Sequence, residues 1–241
     1  MRETFVLLLL AHVLADFLMQ SGAMVRNKHR PAVLLAHTAI VLVCAVALTG
    51  NANPVLLLLA AAHAAIDAVK TGFRLAGLRW FLADQAAHLV TLVLAAAIAP
   101  DLWSTGLWPA VLPPDLVAAI PWVALHLAGL VLATRTGGFV VGALLAPYLV
   151  SSPDLADGGL PGAGQAIGLL ERGLTYLLVV IGQPTGVTFL IAAKSVLRFN
   201  TVSGDRKASE YVIIGTLASI GWAMLTALAI LALAGPADPV P

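Results

Sequence analysis

Charged residues are scarce in this chain. Asp, Glu, Lys and Arg make up 10% of its 241 residues, against about 25% in an ordinary soluble domain. So few charges cannot clothe a water-facing surface. With 60% hydrophobic residues and a mean hydropathy of +0.97, the sequence reads as an integral membrane protein. A basic excess is also lacking: the formal net charge is +1, which offers no basic face to nucleic acid. The single cysteine, Cys44 in an apolar run, excludes an internal disulfide and a thiolate metal cage. Strands of alternating apolar and polar residues, the mark of an outer-membrane barrel, are lacking too. Continuous Leu- and Ala-rich runs point instead to an all-α bundle.

A helix needs roughly 20 apolar residues to cross the hydrocarbon, so the length allows about seven or eight transmembrane helices and little else. Breaks at Pro, Gly and charged clusters predict spans at 4–25, 31–49, 54–72, 80–99, 115–134, 164–182, 184–200 and 209–235. Asp16 and Gln20 interrupt the first apolar run, which therefore reads as a span rather than a cleaved signal peptide. Gly138 to Val150 is too short to cross and reads as interfacial or re-entrant. Between Arg172 and Lys194, Gly182-Gln183-Pro184-Thr185-Gly186 is a turn signal, favouring a hairpin over one kinked helix. The chain reads as one transmembrane domain over 1–241, with four His/Asp-bearing helices in 1–99 and further helices in 115–235.

Lys and Arg sit in alternate connections: Arg26, Lys28 and Arg30 in the first, Lys70, Arg74 and Arg79 around the third, Arg135 in the fifth, Arg206 and Lys207 in the seventh. Basic residues are retained on the cytoplasmic side, so both termini are expected outside the cytoplasm.

Against this apolar background the ionisable residues stand out, because a charge at a helix centre costs roughly 2.5–3.5 kcal/mol on insertion scales. His12 and Asp16 lie four apart in the first span. His63 and Asp67 repeat that spacing in the third, followed by Lys70; Asp84 and His88 reverse it in the fourth; His37 is in the second. A spacing of four puts both side chains on one helix face. At about 1.5 Å per residue from the cytoplasmic ends, Asp84, Asp67 and His37 lie roughly 6–9 Å inside, His88, His63 and Asp16 about 12–14 Å, and His12 about 20 Å. The pairs are expected to converge in the cytoplasmic half of the membrane. Imidazole and carboxylate suit Zn, Mn, Fe or Ni, and this many groups could hold one or two ions. A lone His-Asp pair is commonly just a tie between helices; three such pairs in four spans favour a shared centre. Gln20 and Gln85 are candidates to orient the ligands or to act as structural ties. His126 is expected to pack or hydrogen-bond within the bundle, and His29 to lie in a loop.

A second polar group comprises Glu171, Arg172, Lys194 and Arg198. Two readings stay open: a structural Glu171–Lys194 ion pair, or an anionic headgroup received by Arg172, Lys194 and Arg198 with Glu171 moving a proton.

His12-x-x-x-Asp16-Phe17-x-x-Gln20, His63-x-x-x-Asp67-x-x-Lys70, Asp84-Gln85-x-x-His88, Gly168-Leu169-Leu170-Glu171-Arg172, Lys194-x-x-x-Arg198-Phe199 and Ser209-Glu210-Tyr211-Val212-Ile213-Ile214-Gly215-Thr216-Leu217 together resemble the bacterial inner-membrane family called domain of unknown function thirty-three-oh-seven, over nearly the whole chain. The resemblance implies a helical fold in the bacterial inner membrane and says little of chemistry. A more distant similarity, to membrane-bound metal-dependent hydrolases, is analogy alone.

Three functions follow as expectations. The first is a metal-dependent hydrolase acting on a lipid or lipid-linked phosphate at the cytoplasmic leaflet. Its ligands would be His12, Asp16, His37, His63, Asp67, Asp84 and His88, its phosphate-binding residues Lys70, Arg172, Lys194 and Arg198, and Glu171 its proton-transfer residue. The second is a divalent-metal or proton-coupled transporter using the same groups. The third is a structural or regulatory membrane subunit.

Overall fold

The computed structural model describes residues 1–151, 162–202 and 206–235, and the side chains of 197–202 lie outside that description. Every regular element among the described residues is helical. Five stretches are long and apolar enough to cross a membrane: Pro31–Thr49, Val55–Gly72, Leu78–Ile98, Pro114–Ser151 and Arg206–Ala234. The shortfall from seven or eight has local causes. The first helix is regular only over Arg2–Leu14. The helix Ala163–Val180 carries Gln165, Glu171 and Arg172, and the apolar stretch Thr185–Val196 is short.

The chain divides into two compact units, Met1–Ala128 and Gly129–Pro241. In the first, α1 (Arg2–Leu14) runs into a π-helical turn, Ala15–Met19. Ser21 caps the short α2 (Gly22–Asn27) by accepting the Met24 N–H. Pro31 opens α3 (Pro31–Thr49), where its missing N–H costs nothing, and Gly50 in the left-handed region (φ 62°) closes it. Then follow α4 (Val55–Gly72) and α5 (Leu78–Ile98). Helix α1 packs on α3 and α5, and α4 packs on the same two, closing a ring of four. Because α1 is apolar on every face, it is the most deeply buried element; Val6 to Val13 are all buried. The segment after α5 seals one end: Thr4 Oγ1 donates to the Pro100 carbonyl at 2.9 Å, and Trp108 Nε1, in the short α6 (Leu107–Val111), donates to the Ala47 carbonyl at 2.7 Å.

The expected break before Gly138 does not occur. Helix α7 (Pro114–Val131), a π turn (Leu132–Thr136) and α8 (Gly137–Ser151) run on continuously. A π turn leaves carbonyls outside the usual ladder, and here side chains take them: Trp222 Nε1 donates to Leu132 O at 2.8 Å and Arg172 Nε to Thr134 O at 3.0 Å. Gly137 serves close packing rather than a turn, since a Cβ there would fall 2.6 Å from Trp222 Cδ1 and 2.8 Å from Arg172 Cδ. The hairpin expected over 164–200 is present as α9 (Ala163–Val180) and α10 (Thr185–Val202). Gly182 turns the chain at φ 74°, and the Gln183 N–H reaches the Leu178 carbonyl at 2.7 Å. Helix α11 (Arg206–Ala234) packs against α8 and α9.

Candidate metal centre

Each helix of the four-helix ring brings ionisable residues to its interior: His12 from α1, Asp16 from the π turn, His37 from α3, His63 and Asp67 from α4, Asp84 and His88 from α5. All seven are withdrawn from solvent; the three Asp side chains are 8% exposed or less. The π turn places Asp16, since widening the helix at Ala15–Met19 changes the direction in which its side chains project.

Four ligand atoms crowd one point. His37 Nε2 lies 3.1 Å from Asp16 Oδ1, 3.1 Å from His63 Nε2 and 3.6 Å from Asp67 Oδ2. His63 Nε2 lies 3.3 Å from both Asp16 Oδ1 and Asp67 Oδ2. Tetrahedral donors bound at about 2.0–2.1 Å are separated by about 3.3–3.4 Å from one another. These five separations fall around that value: His37, His63 and Asp67 form one three-ligand group, and Asp16 lies as close to His37 and His63, spacings compatible with ligands of a first-row divalent ion. Two further sets overlap it: His12, Asp16 and His63, and Asp67, Asp84 and His88, each with donor atoms within 4.8 Å of one another.

The hydrogen bonding around the donors fits the same chemistry. His88 Nδ1 lies 2.8 Å from the Asp84 carbonyl, which fixes Nδ1 as the protonated nitrogen and leaves the Nε2 lone pair bare, the orientation that a carbonyl behind a metal-bound imidazole imposes. His12 Nε2 faces Gln85 Oε1 at 3.3 Å, leaving Nδ1 as acceptor. His88 Nε2, His12 Nδ1 and Asp84 Oδ1 are buried with no hydrogen-bond partner. Buried acceptors without a donor are costly, and cations held by the group with Asp84 and His88 and by the group with His12 would satisfy them. The residues present therefore fit a divalent ion.

Two lysines share the carboxylates. Lys70 Nζ donates to Asp84 Oδ2 at 2.6 Å, alongside Gln85 Nε2 at 3.1 Å. Lys28 Nζ lies 2.6 Å from Asp67 Oδ2. Lys28 was not anticipated: as sequence it is one of three basic residues in a connection, and only the fold of α2 carries it inward, leaving it 8% exposed. Gln85 does lie where an orienting residue would. Gln20 Nε2 is buried without a partner. His126 packs at a tilt against Trp122 with ring centroids 4.1 Å apart, and His29 is exposed.

The other expected residues belong to the second unit. Lys194 Nζ is 2.8 Å from both Glu171 carboxylate oxygens, so the ion pair is present. Arg172, 5% exposed, holds Thr134 O through Nε and Ser219 Oγ through Nη1 at 3.2 Å. The Arg198 side chain lies outside the described residues.

Residues 4–109 match the model of a family described as Protein of unknown function (DUF3307). That segment contains all seven His and Asp residues of the centre; the motifs at 168–172, 194–199 and 209–217 lie beyond it, so the resemblance is narrower than the near-whole-chain extent expected. No curated protein and no solved structure matches the chain.

Proposed function

We propose that the first unit is a membrane-embedded divalent-metal centre and that the protein is a metal-dependent hydrolase of a lipid or lipid-linked phosphate, working at the cytoplasmic leaflet of a bacterial inner membrane. The observation that carries this reading is the approach of Asp16 and Asp67 to the His37–His63 pair at ligand spacing. That set would hold one ion of Zn, Mn or Fe with protein ligands alone. Asp67, Asp84 and His88 supply three ligands, the number that catalytic sites use while keeping a position for water. A bound ion there would supply Lewis acidity and a water that ionises near neutral pH.

The chain's own groups have separate tasks. Gln85 orients His12 and Asp84 at once. Lys70, with a side chain 31% exposed, leads from the buried carboxylates towards the surface and is placed to receive a phosphate oxygen. Arg172, Lys194 and Arg198 are read as further anion-binding groups, with Glu171 accepting or returning a proton when Lys194 turns to the anion. The remaining apolar segments, α1 with its π turn, α9 and α10, are read as additional spans that bring the total to seven or eight, and the basic connections as cytoplasmic.

The test is phosphate release from a lipid phosphomonoester by purified protein supplied with Mn or Zn. Lys70→Gln is expected to lower turnover while retaining metal; unchanged kinetics would remove Lys70 from the site. Transport of a divalent ion is the second reading, favoured by the depth of the ligands. Metal uptake into proteoliposomes that is lost in Asp67→Ala, with no hydrolysis by wild type, would establish transport instead.

A further inference from the structure

The second unit contains a cavity of about 390 Å³ walled by α8, α9 and α11, with Arg135, Arg172 and Tyr211 at polar positions and Phe139, Leu149 and Leu169 among its apolar ones. A smaller cavity of about 190 Å³ adjoins it, sharing Leu145, Gly164, Arg172 and Tyr211 and bordered also by Glu171 and Lys194. The larger volume lies within the roughly 300–1,000 Å³ of small-molecule sites.

Glycine spacing explains why the space exists. Gly138 and Gly142 lie one turn apart on α8, and Gly164 and Gly168 one turn apart on α9. In membrane helices such small-x-x-x-small pairs ordinarily let two backbones touch. Here they do not: a Cβ at Gly142 or at Gly164 would meet nothing within 4 Å. At Gly138 and Gly168 it would lie 3.2 and 3.0 Å from the Arg172 guanidinium. One glycine of each pair makes room for the buried arginine, and the other leaves the chamber beside it open.

The charge of the chamber is one-sided. Glu171 is paired with Lys194 and lies within electrostatic reach of Arg172, whose hydrogen bonds go to neutral partners, Thr134 O and Ser219 Oγ; Arg135, exposed at the rim, leaves the cations in excess. Two guanidinium groups at the edge of an apolar chamber match the charge of a phosphate monoester and its preference for forked donors.

We infer that this cavity is a binding site for a phosphate-bearing lipid, with the phosphate at Arg135 and Arg172 and the chain beside Phe139, Leu149 and Leu169. The inference deepens the anion-binding reading of Arg172 and rests on it, but it does not require a metal in the first unit.

The test titrates fluorescent-tailed phosphatidic acid into the full chain in detergent, with phosphatidylcholine of the same tail and inorganic phosphate as competitors. Phosphatidic acid is expected to bind about tenfold more tightly than phosphatidylcholine, equivalent to roughly 1.4 kcal/mol, and a large excess of inorganic phosphate is expected not to displace it. Gly142→Leu, which fills open space, is expected to weaken binding by about tenfold or more. Gly164→Leu provides a second filling variant should the first fold poorly. Arg135→Gln is expected to weaken binding severalfold and to flatten its salt dependence. Equal affinity for the two lipids, displacement by inorganic phosphate, or unchanged binding in both folded glycine variants would overturn the assignment. Metal content is read on the same samples. Its absence from wild type would refute the metal centre and leave the lipid titration standing, whereas a failed titration with metal present would refute only the lipid site.

Discussion

The two units treat buried polarity in opposite ways. In Gly129–Pro241 the buried charges have partners, Glu171 in Lys194 and Arg172 in Thr134 O and Ser219 Oγ, while Arg135 stays exposed at the chamber rim. In Met1–Ala128 His88 Nε2, His12 Nδ1 and Asp84 Oδ1 remain without partners, whereas the unpartnered side-chain atoms of the second unit, among the described residues, are the neutral hydroxyls of Thr136 and Thr175. Ion pairs and backbone bonds account for much of the second unit's polar core. They do not account for the first, where Lys28 and Lys70 reach one oxygen each of Asp67 and Asp84 while the imidazoles crowd together, His63 and His88 with centroids 4.2 Å apart and planes inclined by 51°. Buried polar groups in membrane helices are a functional hypothesis by default; the contrast shows which of them lack any other explanation.

The strongest way to break the contrast is to remove ligands. His37→Ala is expected to lower the first unit's metal affinity by more than about 100-fold, beyond the 10–100-fold typical of an orienting residue, as read by metal retention after dialysis. Gln85→Ala, which touches His12 and Asp84 without being a ligand, is expected to cost about 10–100-fold. Lys28→Gln moves the other way. With the ammonium gone from Asp67, a cation compensates a carboxylate that is otherwise buried and bare, so affinity is expected to rise by about tenfold, roughly 1.4 kcal/mol, in a competition with a chelating dye. In the second unit, Arg172→Ala strands Thr134 O, at about 1–3 kcal/mol for a buried unsatisfied group, and lowers thermal stability in detergent without changing metal content. Arg172→Lys is expected to recover little, because a single ammonium cannot span both partners.

Helical class, the 164–200 hairpin and the choice of His12, Asp16, His37, His63, Asp67, Asp84 and His88 as candidates for one centre were legible in the sequence; that their faces meet was not. Spacing of four fixes a face and residue count fixes a depth. Rotation about each axis has no such reading, and neither does the π turn that presents Asp16, since it depends on packing rather than composition. Lys28 was hidden because a basic residue in a connection looks like a topology signal until α2 folds it inward. The separate reading of Gly138 to Val150 fails for the opposite reason: a glycine marks a break or a close approach with the same letter, and at Gly137 Trp222 and Arg172 decide for close packing from far away in sequence.

Elemental analysis of tag-free, detergent-purified protein, wild type beside His63→Ala/Asp67→Ala, tests the central claim most directly. The account predicts one or two equivalents of a transition metal in wild type, about as many as the overlapping donor sets can hold, lost in a variant that still folds. Metal-free wild type that remains well folded and takes up neither Zn, Mn nor Fe on reconstitution would contradict it.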